Sequence, residues 1–221
     1  MTKELQKRIL SSIILIPIAV FFIFYGKLFF AMFLSIFFLA TSYEWIKMNK
    51  INLIKIIGVF YLFLAFISAY LLREKFSLGL FILILITCIF TDIGGYTFGK
   101  IFKGPKLTKI SPKKTYSGVF GSFILSLVSA VIYSKYTNIG AATYLNLSTL
   151  PDMTINNIYF VIILVISFTS QVGDLIISYF KRLAKVKDTG NLLPGHGGLL
   201  DRLDGIIFAV PILYLLLLYS R

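Results

Sequence analysis

Acid is what this chain has least of. Nine Asp and Glu stand against 22 Lys and Arg in 221 residues, with one cysteine, one histidine and six prolines. A single cysteine excludes a disulfide-stapled scaffold. Few prolines, and 58% hydrophobic residues against 14% charged, exclude a disordered chain. An ordinary soluble domain is about 25% charged, so too little polar surface remains here to cover a globule. The apolar stretches are far longer than the strands of a membrane barrel. What remains is an all-α, polytopic integral membrane protein.

A bilayer is crossed by about 20 apolar residues. Seven runs of that kind are present: Ile9–Tyr25, Leu28–Ile46, Ile56–Leu72, Leu78–Phe98, Ser117–Ser134, Ile158–Ile177 and Leu203–Tyr219. The first contains Pro17, which membrane helices tolerate. It has no cleavage site of the A-x-A kind, so it reads as a retained helix and not as a signal peptide. Only Gly26 and Lys27 separate it from the second run, which predicts a tight hairpin. The chain is expected to be a single membrane domain, 1–221, with N-terminal helices over 1–91 and catalytic helices and inner loops over 92–210.

The net charge of +13 reads first as topology, not as nucleic-acid binding. With the N-terminus inside, 17 basic residues fall on the inner side and 5, including Arg221, on the outer. That bias predicts a cytoplasmic N-terminus and an outer C-terminus. Contact with anionic lipid is the ordinary role of most of these cations.

The acids are distributed differently. Six of the nine, Glu44, Asp92, Asp174, Asp188, Asp201 and Asp204, lie near the inner ends of the second, fourth, sixth and seventh runs or between the last two. Intramembrane carboxylates are costly, about 2.5–3.5 kcal/mol at mid-span and less near an end. Several at one end of different helices predict a shared polar cavity. Glu44, between Tyr43 and Trp45, reads instead as an interfacial anchor paired with a nearby lysine.

The stretch from 170 to 205 carries the densest chemistry. Asp174, Ser178 and Lys181 stand at i, i+4 and i+7 and share a helix face. Asp201 and Asp204, at i and i+3, share another. Between them lies Pro194-Gly195-His196-Gly197-Gly198, a backbone-rich turn whose N–H groups, with the adjacent helix start, suit phosphate. Carboxylates from two helix ends with Lys and Arg nearby suit a divalent metal plus polyphosphate, since Mg²⁺ takes one or two carboxylates and leaves its other positions to water and phosphate. The chemistry indicated is phosphoryl or nucleotidyl transfer.

The run Ser178-x-Phe-Lys181-Arg182-x4-Lys187-Asp188-x-Gly190-x2-Leu193-Pro194-x-His196-Gly197-Gly198-Leu199-x-Asp201-Arg202-Leu203-Asp204 resembles the signature of the phosphatidate cytidylyltransferase (CDP-diacylglycerol synthase) family. Gln171-x-Gly173-Asp174-Leu175 and Ser111-Pro112-Lys113-Lys114-Thr115, with Gly118 beyond it, are similar to two further elements of that family. Asp92-x-Gly94 and Tyr96 resemble the acidic end of an earlier helix. The sequence departs from the family at Tyr116-Ser117, where Trp-Glu is usual, and at Ile177, where Glu is usual. Those departures remove two carboxylates and leave open which groups complete the metal shell.

The resemblance implies the reaction CTP + phosphatidate → CDP-diacylglycerol + pyrophosphate, in phospholipid synthesis at the bacterial cytoplasmic membrane, with the site facing the cytoplasm. CTP and phosphatidate are then the substrates and membrane lipid the surroundings. Mg²⁺ is the implied cofactor, with a second monovalent or divalent cation as an open alternative, and a homodimer is an implied assembly. Asp174 and Asp201 are the expected metal ligands, with Asp204 as a third. Lys181, Arg182, Lys187 and Arg202 are expected to hold phosphates. Ser111, Lys113, Lys114 and Thr115 approach CTP or lipid from the other loop, with Ser178, Gly197 and Gly198 also on substrate. Asp188 orients Lys187 or the cytidine ring. The lipid phosphate is already an anion, so His196 is expected to hydrogen-bond phosphate or loop backbone before it serves as a base. Three other readings are a secondary transporter, a CTP-using lipid kinase and an inactive relative. No repeat relates the two halves, which disfavours the transporter.

Overall fold

Each apolar run becomes a helix, because a backbone in hydrocarbon has to satisfy its own N–H and C=O groups. The computed structural model describes residues 3–137, 152–193, 195 and 197–219. The helices are α1 (Lys3–Tyr25), α2 (Lys27–Met48), α3 (Asn52–Leu71), α4 (Leu78–Phe102), α5 (Tyr116–Thr137), α6 (Asp152–Leu183), a short α7 (Leu200–Leu203) and α8 (Ile206–Tyr219). A π-helical turn, Leu72–Phe76, joins α3 to α4. Among the described residues there is no strand, only two isolated bridges, Lys106 with Thr115 and Leu193 with Gly197.

Five stretches are long and apolar enough to cross a membrane: Lys27–Met48, Asn52–Phe76, Leu78–Phe102, Tyr116–Tyr136 and Tyr159–Leu183. Two shorter apolar helices, Ser11–Tyr25 and Ile206–Tyr219, accompany them. The protein is an all-helical, polytopic membrane protein. Its helices outrun the apolar segments at their polar ends. α6 has 32 residues, which at about 1.5 Å each gives roughly 48 Å against a hydrocarbon core of about 30 Å. Backbone hydrogen bonding continues past the apolar run, so Ser178, Lys181 and Arg182 are still helical. The last apolar segment is corrected in the other direction. It was expected from Leu203, but α8 starts at Ile206 and Leu200–Leu203 is a separate helical turn.

The exterior is apolar: Ile13, Leu28, Ile36, Phe60, Phe120 and Leu215 are all exposed. A soluble monomer rarely shows apolar patches on that scale. The interior is correspondingly rich in hydroxyls. Thr41, Ser68 and Thr87 are buried and donate back to the carbonyls of Phe37, Leu64 and Leu83 at 2.8 Å, a way of satisfying a hydroxyl without any partner helix. The expected hairpin is present, with Gly26 the single residue between α1 and α2.

α4 and α5 form the most extensive helix pair. They meet through glycine: a Cβ on Gly94 would lie 2.4 Å from the Gly121 carbonyl oxygen, and one on Gly118 would lie 2.7 Å from that of Gly95. Small residues let backbones approach in the absence of a hydrophobic drive between helices. This pair, with α6 and α8 against it, forms the frame on which the polar residues converge.

Candidate active site

Two loops and four helix ends meet at one end of the bundle. The first loop joins α4 to α5. Ser111-Pro112-Lys113-Lys114 is a tight turn closed by the Lys114 N–H donating to the Ser111 carbonyl at 3.0 Å, with proline in the second position where its fixed φ belongs. Leu107 N–H donates to the Lys114 carbonyl at 2.8 Å and clips the loop. Thr115 then caps α5, its Oγ1 accepting from Gly118 N–H at 3.1 Å. Ser117 Oγ also donates to the Lys103 carbonyl. This chemistry aims Lys114 inward: its Nζ sits 2.6 Å from Asp174 Oδ2.

The second loop follows α6. That helix ends in a Schellman motif, with Val186 N–H on the Lys181 carbonyl at 2.9 Å and Lys185 N–H on the Arg182 carbonyl at 3.0 Å. Lys185 takes the left-handed position, φ +58°. The chain then returns to α7, where Asp201 gathers the loop. Its Oδ1 pairs with Lys181 Nζ at 2.7 Å. Its Oδ2 accepts from Thr189 N–H at 2.8 Å, Thr189 Oγ1 at 3.1 Å and Gly198 N–H at 3.1 Å.

Between the loops lies a polar cavity of about 420 Å³. Asp92 of α4, Asp174 of α6, Asp188, Asp201 and Asp204 line it, with Lys113, Lys114, Lys181 and Arg202 facing them. Ser111, Thr115 and Gln171 complete the polar wall. The helix-face expectation for Asp174 and Ser178 takes the form of a direct bond, Ser178 Oγ to Asp174 Oδ1 at 3.2 Å. Asp92, Asp174 and Asp204 stand within each other's electrostatic reach. Among the described residues no hydrogen bond reaches the Asp92 carboxylate, and Asp204 accepts one from Gly205 N–H at 2.9 Å.

Other expected residues are elsewhere. Arg182 is exposed and reaches the carbonyls of Ile110 and Val186, at 3.4 and 3.3 Å, tying the two loops together. Lys187 is exposed and outside the cavity wall. Gly197 and Gly198 close their loop on itself and do not line the cavity. The N–H groups of Gly198, Leu199 and Leu200, expected to be open to phosphate, donate to Asp201 and Glu44. Pro194, His196 and Arg221 lie outside the described residues. Glu44 is corrected most: among the described residues it has no lysine partner, and it is buried under the second loop, an arrangement that neighbouring sequence could not signal. Asp92 was legible as an inner-end acid but not as a member of a trio.

The Cytidylyltransferase family matches residues 50–220. The chain belongs to that family. It is 35% identical to a protein of Rickettsia bellii named phosphatidate cytidylyltransferase, covering 96% of this chain and 90% of that protein. A protein of the same name from Rickettsia conorii is 32% identical, with 99% and 96% covered. One from Staphylococcus saprophyticus is 32% identical over 82% of this chain and 66% of its own.

The departures from the family pattern fall away from the cavity. Ile177 is buried among apolar side chains with Trp45 and Leu200. Tyr116 is exposed, and Ser117 clips the first loop. Neither position lines the cavity. As for metal, no set of three acidic, histidine or cysteine side chains among the described residues forms a ready-made cage. Mg²⁺ needs none, since one or two carboxylates and substrate phosphates suffice. Asp174 with Asp92 or Asp204 fits that requirement. Asp201 has both oxygens engaged by Lys181, Thr189 and Gly198, as Asp174 has by Lys114 and Ser178.

Proposed function

We propose that the chain transfers the cytidylyl group of CTP to phosphatidate, giving CDP-diacylglycerol and pyrophosphate. The observation that carries this reading is the composition of the cavity: carboxylates from three helices and the loops beside them, facing Lys113, Lys114, Lys181 and Arg202, at one end of an apolar bundle in a cytidylyltransferase-family chain. A phosphatidate oxygen attacks the α-phosphorus of CTP. The new P–O bond forms as the α–β bridging bond breaks, and pyrophosphate leaves with that electron pair. The nucleophile is already an anion, so the protein's task is to bring anions together. Lys114 on its turn and Lys181 at the foot of α6 neutralise phosphate oxygens and hold them in line. Arg202, beside the carboxylates, serves the leaving pyrophosphate.

Asp174 with Asp92 or Asp204 would hold Mg²⁺, which would supply charge neutralisation at the substrate phosphates. Asp201 holds Lys181 and the second loop. The proposed topology has seven crossings and a cytoplasmic N-terminus, with the cavity open to CTP from the cytoplasm and to lipid from the inner leaflet of the cytoplasmic membrane. A homodimer is compatible with this arrangement. The experiment uses the full chain in detergent with phosphatidate, Mg²⁺ and CTP labelled at either the α- or the γ-phosphate. Label from the α-position should enter lipid and γ-label should leave as pyrophosphate. γ-Label in lipid would establish a kinase instead, and no label in lipid from either would overturn the reaction.

A further inference from the structure

Glu44 is the one fully buried carboxylate among the described residues, with 1% of its surface exposed. It stands on α2, far in sequence from every cavity residue, and the reaction does not call on it. Burying a carboxylate is costly unless hydrogen bonds replace its hydration. Here two backbone N–H groups at the end of the second loop do so, with the single proton of the Thr189 hydroxyl shared between Glu44 and Asp201. Leu199 N–H reaches Oε1 at 2.9 Å, Leu200 N–H reaches Oε2 at 2.8 Å, and Thr189 Oγ1 reaches Oε2 at 3.1 Å. None of the described ion pairs includes it.

We infer that Glu44 is a positioning residue for cytidylyl transfer, locking Thr189, Leu199 and Leu200 so that Asp201 and Lys181 face the cavity. The inference rests on the reaction proposed above. The connection is continuous. Thr189 Oγ1 stands 3.1 Å from Glu44 Oε2 and 3.1 Å from Asp201 Oδ2. Asp201 Oδ1 holds Lys181 at 2.7 Å, and both line the cavity. The loop is shaped around the carboxylate: a Cβ on Gly190 would come within 2.6 Å of Glu44 Oε1, and one on Gly198 within 2.6 Å of Oε2 and 2.1 Å of Thr189 Oγ1. An ordinary helix-end anchor needs a nearby lysine and asks nothing of distant glycines.

The geometry makes glutamine a sharp probe. Both oxygens accept from backbone N–H, so the amide of Glu44→Gln turns its NH₂ against one of those donors whichever way it is flipped. Glu44→Asp keeps two acceptors and gives up one methylene of reach. The test compares both with wild type as full-length protein in detergent, assayed for transfer of α-label from CTP to phosphatidate. Displacing catalytic groups by about 1 Å costs roughly 100-fold, so Glu44→Gln should lower kcat by about 30- to 100-fold. KM for CTP should stay within about threefold, because the loss is in the transition state. Glu44→Asp should recover most of the rate. Amide hydrogen exchange at Leu199 and Leu200 should rise in Glu44→Gln while α4 and α5 are unchanged.

Should Glu44→Gln fail to assemble, Thr189→Val carries the same test. It removes the shared hydroxyl and leaves both backbone bonds to Glu44, and kcat should fall by about tenfold while helical circular dichroism is kept. A wild-type protein that transfers no label overturns the reaction. An active wild type with Glu44→Gln, or Thr189→Val in its place, turning over within threefold of it overturns the role of Glu44 alone. So does unchanged exchange at Leu199 and Leu200.

Discussion

Charged residues cluster at both ends of this bundle, and the two clusters differ in how they balance. At the end where α1 meets α2 and α3 meets α4, Arg73 donates to the carbonyls of Ile23 and Phe24, at 3.0 and 3.1 Å, and pairs with Glu74. Glu74 also accepts from Lys27 N–H at 2.8 Å. That cluster is closed: one acid, one guanidinium, and carbonyls at the end of α1. At the other end, carboxylates from α4, α6 and the approach to α8 face a cavity of about 420 Å³. Lys114 answers Asp174 and Lys181 answers Asp201; with Lys113 and Arg202, four cations face five carboxylates, and the wall holds acid in excess. A closed cluster needs no further component. Excess acid on a cavity wall is stabilised by a cation that offsets it, and that excess separates a site from a structural clamp.

The comparison is broken most severely at Asp174. Asp174→Asn removes the carboxylate shared by Lys114, Ser178 and the proposed metal. Losing one preorganised electrostatic group costs about 10²–10³-fold, and lipid labelling should fall by that much while helical circular dichroism is kept. Near-normal turnover would contradict the assignment. Lys114→Ala comes next. It should cost about 10²-fold in kcat/KM, because the Ser-Pro-Lys-Lys turn survives without the side chain that it aims. Arg73→Ala should do the reverse. Labelling should stay within about threefold, while stability drops by about 1–3 kcal/mol as the carbonyls of Ile23 and Phe24 lose their donor, seen as a lower melting temperature. The smallest effect is at Lys185, whose left-handed φ of +58° suits glycine. Lys185→Gly should raise stability by about 1 kcal/mol or less, the relief of φ strain being partly offset by unfolded-chain entropy.

How far the sequence carried this picture follows from range. Apolar runs locate every long helix, since membrane burial acts on contiguous residues, but they mark where lipid ends and not where hydrogen bonding does. That is why α6 extends six residues past Ile177 to Leu183. Local geometry was legible as well. Asp174, Ser178 and Lys181 share a face by helical spacing, and Ser-Pro-Lys-Lys-Thr reads as a turn followed by a cap. Glu44 was not legible, because its donors lie 145 to 156 residues away. Its flanking Tyr43 and Trp45 suggested an interface anchor instead. Asp201 was read as a metal ligand from its place in the motif. The folded loop adds that its oxygens also hold Lys181, Thr189 and Gly198, as those of Asp174 hold Lys114 and Ser178.

The central claim is that the surplus carboxylates exist for a nucleotide–metal complex. The most direct measurement is the melting temperature of the full chain in detergent with and without CTP and Mg²⁺, for wild type, Asp174→Asn and Arg73→Ala. Ligand at about 100 times its Kd stabilises by about 2.7 kcal/mol, so wild type and Arg73→Ala should both shift upward only when CTP and Mg²⁺ are present together, and Asp174→Asn should not shift. An equal shift in Asp174→Asn, or none in wild type, would contradict the account.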